Sequence, residues 1–267
     1  MRDGPLARFP KLTLQSLGKS IMEKRETVFA DLTFRGLTKD ILLKEEHSLK
    51  VIVTVNAEFI VMAHKNDRFR KIINDNFATF DGQIPYLMAK LQNHGLYFEK
   101  ISGSDLIYDI ARFARMNRKR VLLLGGIEES NARTVQVLKD GYGIDVAGYV
   151  PAHRPYPFDE AHNSAMLRRI EDFRPDFLLV AFGAPKQEFW IDDNREYLER
   201  IGVKWAVGVG GTFDFVAGRE KRAPKFVQTA CLEGLWRLIQ NPKRFKRLIH
   251  VFEVFKYVHG GAPSAHH

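Results

Sequence analysis

The chain has 267 residues, 45% of them apolar, with 41 Lys and Arg against 32 Asp and Glu for a formal charge of +9. That length and apolar content suit one large domain or a domain with an appendage, and the basic balance points to an acidic partner. One cysteine, Cys231, excludes an intrachain disulfide and a multi-cysteine metal site and fits a reducing compartment, where it reads as a small apolar group on a helix. No apolar run approaches the roughly 18 residues that span a bilayer, and Met1 to Pro10 lacks the apolar core of a signal peptide, so a cytoplasmic location is expected.

Residues 1–26 are mixed and basic and receive no assignment, and Thr27 to Leu49 reads as a short strand followed by a helix. Lys50 to Val55, K-V-I-V-T-V, is a β-branched strand that Asn56 ends, with a helix from Glu58 to Lys65. Ala78 to Phe80 is a short strand leading to Asp81-Gly82, and Ile84 to Leu91 is helical. Ser102-Gly103-Ser104-Asp105 opens a helix through Arg115, with Ser104 as its expected N-cap. Val121 to Leu124 is a buried strand ending on Gly125-Gly126; a helix from Glu128 to Lys139, a strand from Ile144 to Val150 and a helix from Asp159 to Phe173 follow. The apolar run Phe177 to Phe182 ends on Gly183, and Pro185 opens a helix with Phe189, Trp190 and Leu198 on its apolar side. A last apolar run, Val203 to Val209, ends on Gly210-Gly211.

Strands alternating with helices of about 10–15 residues indicate βαβ units. The expected fold class is therefore α/β, a mostly parallel Rossmann-like sheet with flanking helices. Beyond Pro224 two helices separated by Asn241-Pro242 are predicted, the second strongly basic. From Arg219 onward ten Lys and Arg stand against three Glu, so +7 of the +9 belongs to this segment. The division expected is a catalytic domain over residues 1–218, a basic helical appendage over 219–260 and a disordered tail over 261–267.

Asp81 follows a strand at the carboxyl edge of the sheet, where it can act as a rigidly held proton acceptor or simply terminate the strand in a turn. Gly125-Gly126 and Gly210-Gly211 end strands at that same edge, where open α/β sheets bind ligands. They can present backbone N–H groups to a phosphate or be tight turns and nothing more. From Gly208 the residues run G-V-G-G-T-F, with Phe213 where a third dinucleotide-binding glycine belongs, and no G-x-x-x-x-G-K-[ST] is present. Dinucleotide dehydrogenase and P-loop readings lose their support. There is no D-x-D to hold a metal on a nucleotide-sugar pyrophosphate, the nine histidines are scattered, and Asp192-Asp193 reads as a solvent-facing pair.

Gly183-Ala-Pro-Lys-Gln-Glu188, followed by Gly210-Gly-Thr-Phe-Asp-Phe215 and Arg222-Ala-Pro224, resembles the signature of the WecG/TagA/CpsF glycosyltransferases, glycosyltransferase family 26. The match runs in order from about Val51 to Arg247. Members of that family move a sugar from a UDP donor to a polyprenyl-diphosphate-linked saccharide at the bacterial cytoplasmic membrane. The resemblance implies that Asp81 is the catalytic base and that Thr54, Asn56 and Gln187 bind substrate; an amide such as Gln187 both donates to and accepts from sugar hydroxyls. It also implies that Arg237, Arg244 and Arg247 belong to an appendage that closes over the site. Those arginines and helix N-termini, rather than a metal, would then neutralise the departing UDP. Gly125, Gly126, Gly210 and Gly211 are the candidates for the donor pyrophosphate, while Lys186 and Glu188 read as a solvated helix start. Two departures stand out. D-G-Q-I-P replaces the usual D-G-x-G after the aspartate, and L-E-G-L-W-R at Leu232 to Arg237 introduces a glycine that costs about 1 kcal/mol of helix preference.

The activity the resemblance implies is an inverting, metal-independent transfer, with no cofactor, of an N-acetylmannosamine-type or related hexose from a UDP-sugar in cell-wall polymer or polysaccharide assembly. Between Asn241 and Tyr257 the apolar Phe245, Leu248, Ile249, Phe252, Val254 and Phe255 are interleaved with Lys243, Arg244, Lys246 and Arg247. That pattern suits an anionic membrane surface on the inner face, at about 1 kcal/mol per base, and equally a core-packed or oligomer-forming helix. A homo-oligomer stays open. The other reading is a non-catalytic basic nucleotide- or RNA-binding module; no RNA-binding signature supports it, and no nucleic-acid partner is expected.

Overall fold

A computed structural model of the protein describes residues 26–220 and 252–258. Most of the basic appendage, with Cys231, the Leu232 to Arg237 stretch, Arg237, Arg244 and Arg247, lies outside the described residues, as do most of residues 1–26 and the 261–267 tail.

Six strands form one sheet: β3 (Lys50–Val55), β4 (Phe77–Phe80), β5 (Val121–Gly125), β6 (Val146–Tyr149), β7 (Phe177–Ala181) and β8 (Trp205–Gly208). Their order is β4-β3-β8-β7-β5-β6, and every pairing is parallel. Strands 3, 5, 7 and 8 are buried at every residue, which explains why they read as unbroken apolar runs rather than as alternating ones.

The period of two is nonetheless present, because the two faces feed different cores. Val51, Val53, Leu122, Leu124, Leu178 and Val180 point into a layer built by α2 (Ala57–Lys65), α3 (Asp67–Asp75), α7 (Glu160–Phe173) and α8 (Lys186–Asp193). Ile52, Val121, Leu123, Phe177, Leu179 and Val207 point into the opposite layer, built by α5 (Gly103–Asn117), α6 (Glu128–Tyr142) and the short α10 (Thr212–Val216). The sheet is thus covered on both sides, as parallel sheets require.

The stretch before β3 differs from the strand-plus-helix expectation. It holds an antiparallel hairpin, β1 (Thr27–Phe29) and β2 (Leu32–Phe34), and then the five-residue α1 (Lys39–Leu43). Ala30 and Asp31 both have left-handed φ, 50° and 56°, which is the twist a two-residue hairpin turn needs. Phe34 stacks on Phe80 with ring centres 3.9 Å apart, fastening the hairpin to β4. Helix α3 was not anticipated, although Asn66 caps it and Phe69, Ile72 and Ile73 mark its buried face. The N-cap of α5 is Ser102 rather than Ser104: Ser102 Oγ accepts from the Asp105 N–H at 3.3 Å. The chain continues through α4 (Gln83–Gln92) after Asp81-Gly82 and through α9 (Arg195–Arg200) after α8.

The last described residues return to this domain. Val254 is fully buried in the first core, Glu253 pairs with Lys65 at 2.7 Å, and Tyr257 of α11 (Phe255–Val258) stacks on His64. Phe252 and Phe255 stay exposed. The apolar positions expected to face a membrane therefore divide here, one into the core and two outward.

Candidate active site

Strands β3, β4, β7 and β8 end side by side, and their carboxyl ends surround one cleft. Asp81 stands in it as the first residue after β4. Its N–H donates to the Val55 carbonyl at 2.9 Å, and the preceding Phe80 carbonyl accepts from Ile101, so the backbone that carries the carboxylate is held from both sides. Gly82, at φ 89°, then turns the chain into α4, a conformation that disfavours any residue with a Cβ. The loop replacing the family's D-G-x-G thus keeps the glycine its geometry demands.

Thr54 is buried beside Asp81 in the same cleft. Asn56 lines it as well, but its Oδ1 caps α2 by accepting from the Phe59 N–H at 3.2 Å, which leaves the amide nitrogen as the part not engaged by the cap. Gly103 and Ser104, the first residues of α5, form a further wall that the motifs had not marked as functional. A Cβ on Gly103 would lie 3.3 Å from Thr212 Oγ1 and 3.6 Å from Thr54 Oγ1, so the missing side chain lets this helix end close on two hydroxyls. The positive end of a 15-residue helix dipole consequently opens into the cleft, a disposition suited to anionic oxygens. The signal available in the sequence was the S-G-S-D helix start; what could not be read was which strand ends it would meet.

Gln187 joins the cleft, with a duty the sequence did not disclose. Its Oε1 accepts from the Gly183 N–H at 3.2 Å and from the Gly210 N–H at 3.0 Å, and its Nε2 donates to Glu188 at 2.8 Å. The possibility that Gly210 presents an open N–H group where β8 ends is thereby corrected: this one side chain takes it, together with the N–H of Gly183 after β7. Gly210 and Gly211 still line the cleft. Gly125 and Gly126 end β5 at the same edge but are not among its lining residues. Phe182 lies against Gly125 and Phe213 against Gly126, and the Gly126 N–H donates to the Ala181 carbonyl at 2.9 Å.

The solvated helix start expected of Lys186 and Glu188 holds only for Lys186. Glu188 is 1% exposed, because it sits beneath the Gly208 backbone, and burial pushes its carboxyl up to about 7. The Asp192-Asp193 pair is not simply solvent-facing either: both carboxylates engage Arg68, and the Tyr156 hydroxyl donates to Asp193. Burial and that bond raise the Tyr156 pKa. A second, shallow groove is lined by Lys39, Tyr108, Asp109 and Arg112, but there both cations pair with Asp109. Among the described residues no three His, Cys, Asp or Glu side chains are grouped to share a metal ion, and no helix is long and apolar enough to cross a membrane.

Residues 24–259 match the glycosyl transferase WecG/TagA/CpsF family. An N-acetylglucosaminyldiphosphoundecaprenol N-acetyl-beta-D-mannosaminyltransferase of Bacillus spizizenii is 33% identical over 202 residues, 75% of each chain. The protein of the same name in Bacillus subtilis is 31% identical over 203 residues, again 75% of each. A family match across nearly the whole chain, two relatives of this similarity and a parallel sheet whose strand ends meet in one cleft lead to a single conclusion: the chain belongs to the WecG/TagA/CpsF family of glycosyl transferases.

Proposed function

We propose that this glycosyltransferase moves an N-acetylmannosamine-type sugar from a UDP donor to an N-acetylglucosamine carried on a polyprenyl diphosphate. The acceptor class comes from the relatives' names. The observation that carries the site assignment is Asp81, a carboxylate on a strand end pinned from both sides, in one cleft with Thr54, Asn56 and the N-terminus of α5.

In this reading the Asp81 carboxylate takes the proton of the attacking sugar hydroxyl. The hydroxyl oxygen bonds to the anomeric carbon from the face opposite the leaving group, and the bond from that carbon to UDP breaks with its electron pair going to the diphosphate. The configuration at the anomeric carbon inverts. The first turn of α5 offers its N–H groups and dipole to the developing charge, and Arg237, Arg244 and Arg247 supply the remainder. No metal takes part in this scheme. Since a polyprenyl acceptor stays in the bilayer, the enzyme works at the inner membrane face, with Lys243 and Lys246 toward anionic headgroups.

The test is a donor screen. Purified protein is mixed with a short-chain prenyl-diphosphate-GlcNAc and individual UDP-sugars, and the lipid-linked product is weighed by mass spectrometry. A disaccharide formed with one UDP-hexosamine, together with a rise in melting temperature on adding UDP but not NAD or an oligonucleotide, is the expected result. No transfer from any UDP-sugar would overturn the reading, and stabilisation by oligonucleotides alone would favour the nucleic-acid-binding alternative.

A further inference from the structure

We propose that Glu188 is a positioning residue of the transfer reaction, acting through Gln187 to hold in place the two strand-end loops that form one side of the cleft. The inference rests on the functional reading above and adds to it a residue that does not touch substrate. Gln187 Oε1 is the shared acceptor for the Gly183 and Gly210 N–H groups, so its orientation decides whether the loops after β7 and β8 are tied together. An amide can turn over and present nitrogen where oxygen was, and toward two N–H donors that exchange replaces two bonds with repulsion. Glu188 prevents it: Oε1 accepts from Gln187 Nε2 at 2.8 Å, which only the observed orientation permits.

Glu188 has little else to do. It is 1% exposed, and its Oε2 is buried with no hydrogen-bond partner among the described residues. Leaving a carboxyl oxygen without a partner is costly, so its retention beside the cleft calls for a role. Gly208 of β8 is shaped around the pair, since a Cβ there would stand 2.6 Å from Glu188 Oε1 and 2.7 Å from Gln187 Nε2. The charged groups on surrounding elements are otherwise placed. Glu58 on α2 and Asp81 after β4 line the cleft, Arg68 on α3 is engaged by Asp192 and Asp193, and Lys186 is exposed. What acts on the Glu188 carboxyl is burial, opposed by hydrogen bonds from Gln187 and from its own backbone, so the neutral acid persists to about pH 7. Above that, the ionised carboxylate accepts from Gln187 more strongly, and the cost of its charge beneath β8 is one of burial rather than of that bond.

Two variants separate this role from mere packing. Glu188→Leu fills the space without an acceptor, and Glu188→Gln keeps an acceptor that cannot ionise. Hydrogen exchange at the Gly183 and Gly210 amides, which needs no substrate, should show protection lost at both glycines in E188L and kept in E188Q. The KM for the UDP-sugar should rise about ten-fold in E188L, the worth of roughly one hydrogen bond, and stay within about two-fold in E188Q. Unchanged protection in E188L overturns the proposal, whereas absence of transfer in the wild type alongside the expected exchange pattern counts against the transferase reading alone. Should E188L fail to fold, Glu188→Ala decides with the same exchange measurement: protection lost at both glycines is expected, and protection equal to that of the wild type refutes the role.

Discussion

The buried carboxyl of Glu188 makes a prediction about stability that can be worked through in numbers. Its folded-state pKa is about 7 against an ordinary 4.5, and the cause is burial. Below about 4.5 the group is protonated in both the folded and unfolded chains and contributes no pH dependence. Between about 4.5 and 7 the unfolded chain releases this proton while the folded one keeps it, so the folded state binds more protons and stability falls as pH rises. Above about 7 both forms are ionised and the loss is complete. A difference of about 2.5 units at 1.36 kcal/mol each amounts to about 3 kcal/mol, of which more than about 2 falls between pH 5 and 8. For a domain whose total stability is about 5–15 kcal/mol this is a large share. Glu188→Gln cannot ionise, so urea unfolding of wild type and variant at pH 5 and pH 8 isolates the effect: the variant's advantage over wild type should grow by that amount at the higher pH. Any constant offset from the new amide, and every other titrating group, cancels in the comparison. Parallel pH dependences in the two proteins would show that Glu188 is hydrated or paired in solution and that the reasoning fails.

The remaining predictions concern the chemistry and the membrane. Asp81→Asn keeps the side chain's shape but cannot take a proton at neutral pH, so turnover should fall on the order of 10²-fold with UDP binding retained; near-normal turnover removes Asp81 from the role of base. Transfer should survive excess EDTA, and loss on chelation that Mn²⁺ or Mg²⁺ restores would mean that arginines and the α5 dipole do not suffice for the leaving diphosphate. Reversing the charges of Lys243 and Lys246 should weaken binding to anionic vesicles, and wild-type binding should itself decline with salt; equal binding by the reversed protein rejects a membrane role for that stretch.

Much of the sheet was legible from residue type alone. Lys50–Val55, Val121–Gly125, Phe177–Ala181 and Trp205–Gly208 are short apolar runs, and a strand buried on both faces leaves that imprint wherever it sits in the sheet. Helix α3 was legible too, in Asn66 and the spacing of Phe69, Ile72 and Ile73, though it was not anticipated. Asp81, Thr54, Asn56 and Gln187 were each marked by a motif, and the fold brings them to one cleft because β3, β4 and β7 share a parallel direction and end at one edge.

What the tertiary structure alone decided is who neighbours whom. Val51 pairs with Ala206 across more than half the chain, and no local pattern specifies a partner at that distance. The same non-local placement lets Gln187 collect the N–H groups of Gly183 and Gly210, hides Glu188 beneath Gly208, and sets phenylalanines against Gly125 and Gly126. Residue type states what a side chain is able to do; its partners, and therefore its proton affinity and its duty, follow from packing between segments that are distant in the chain.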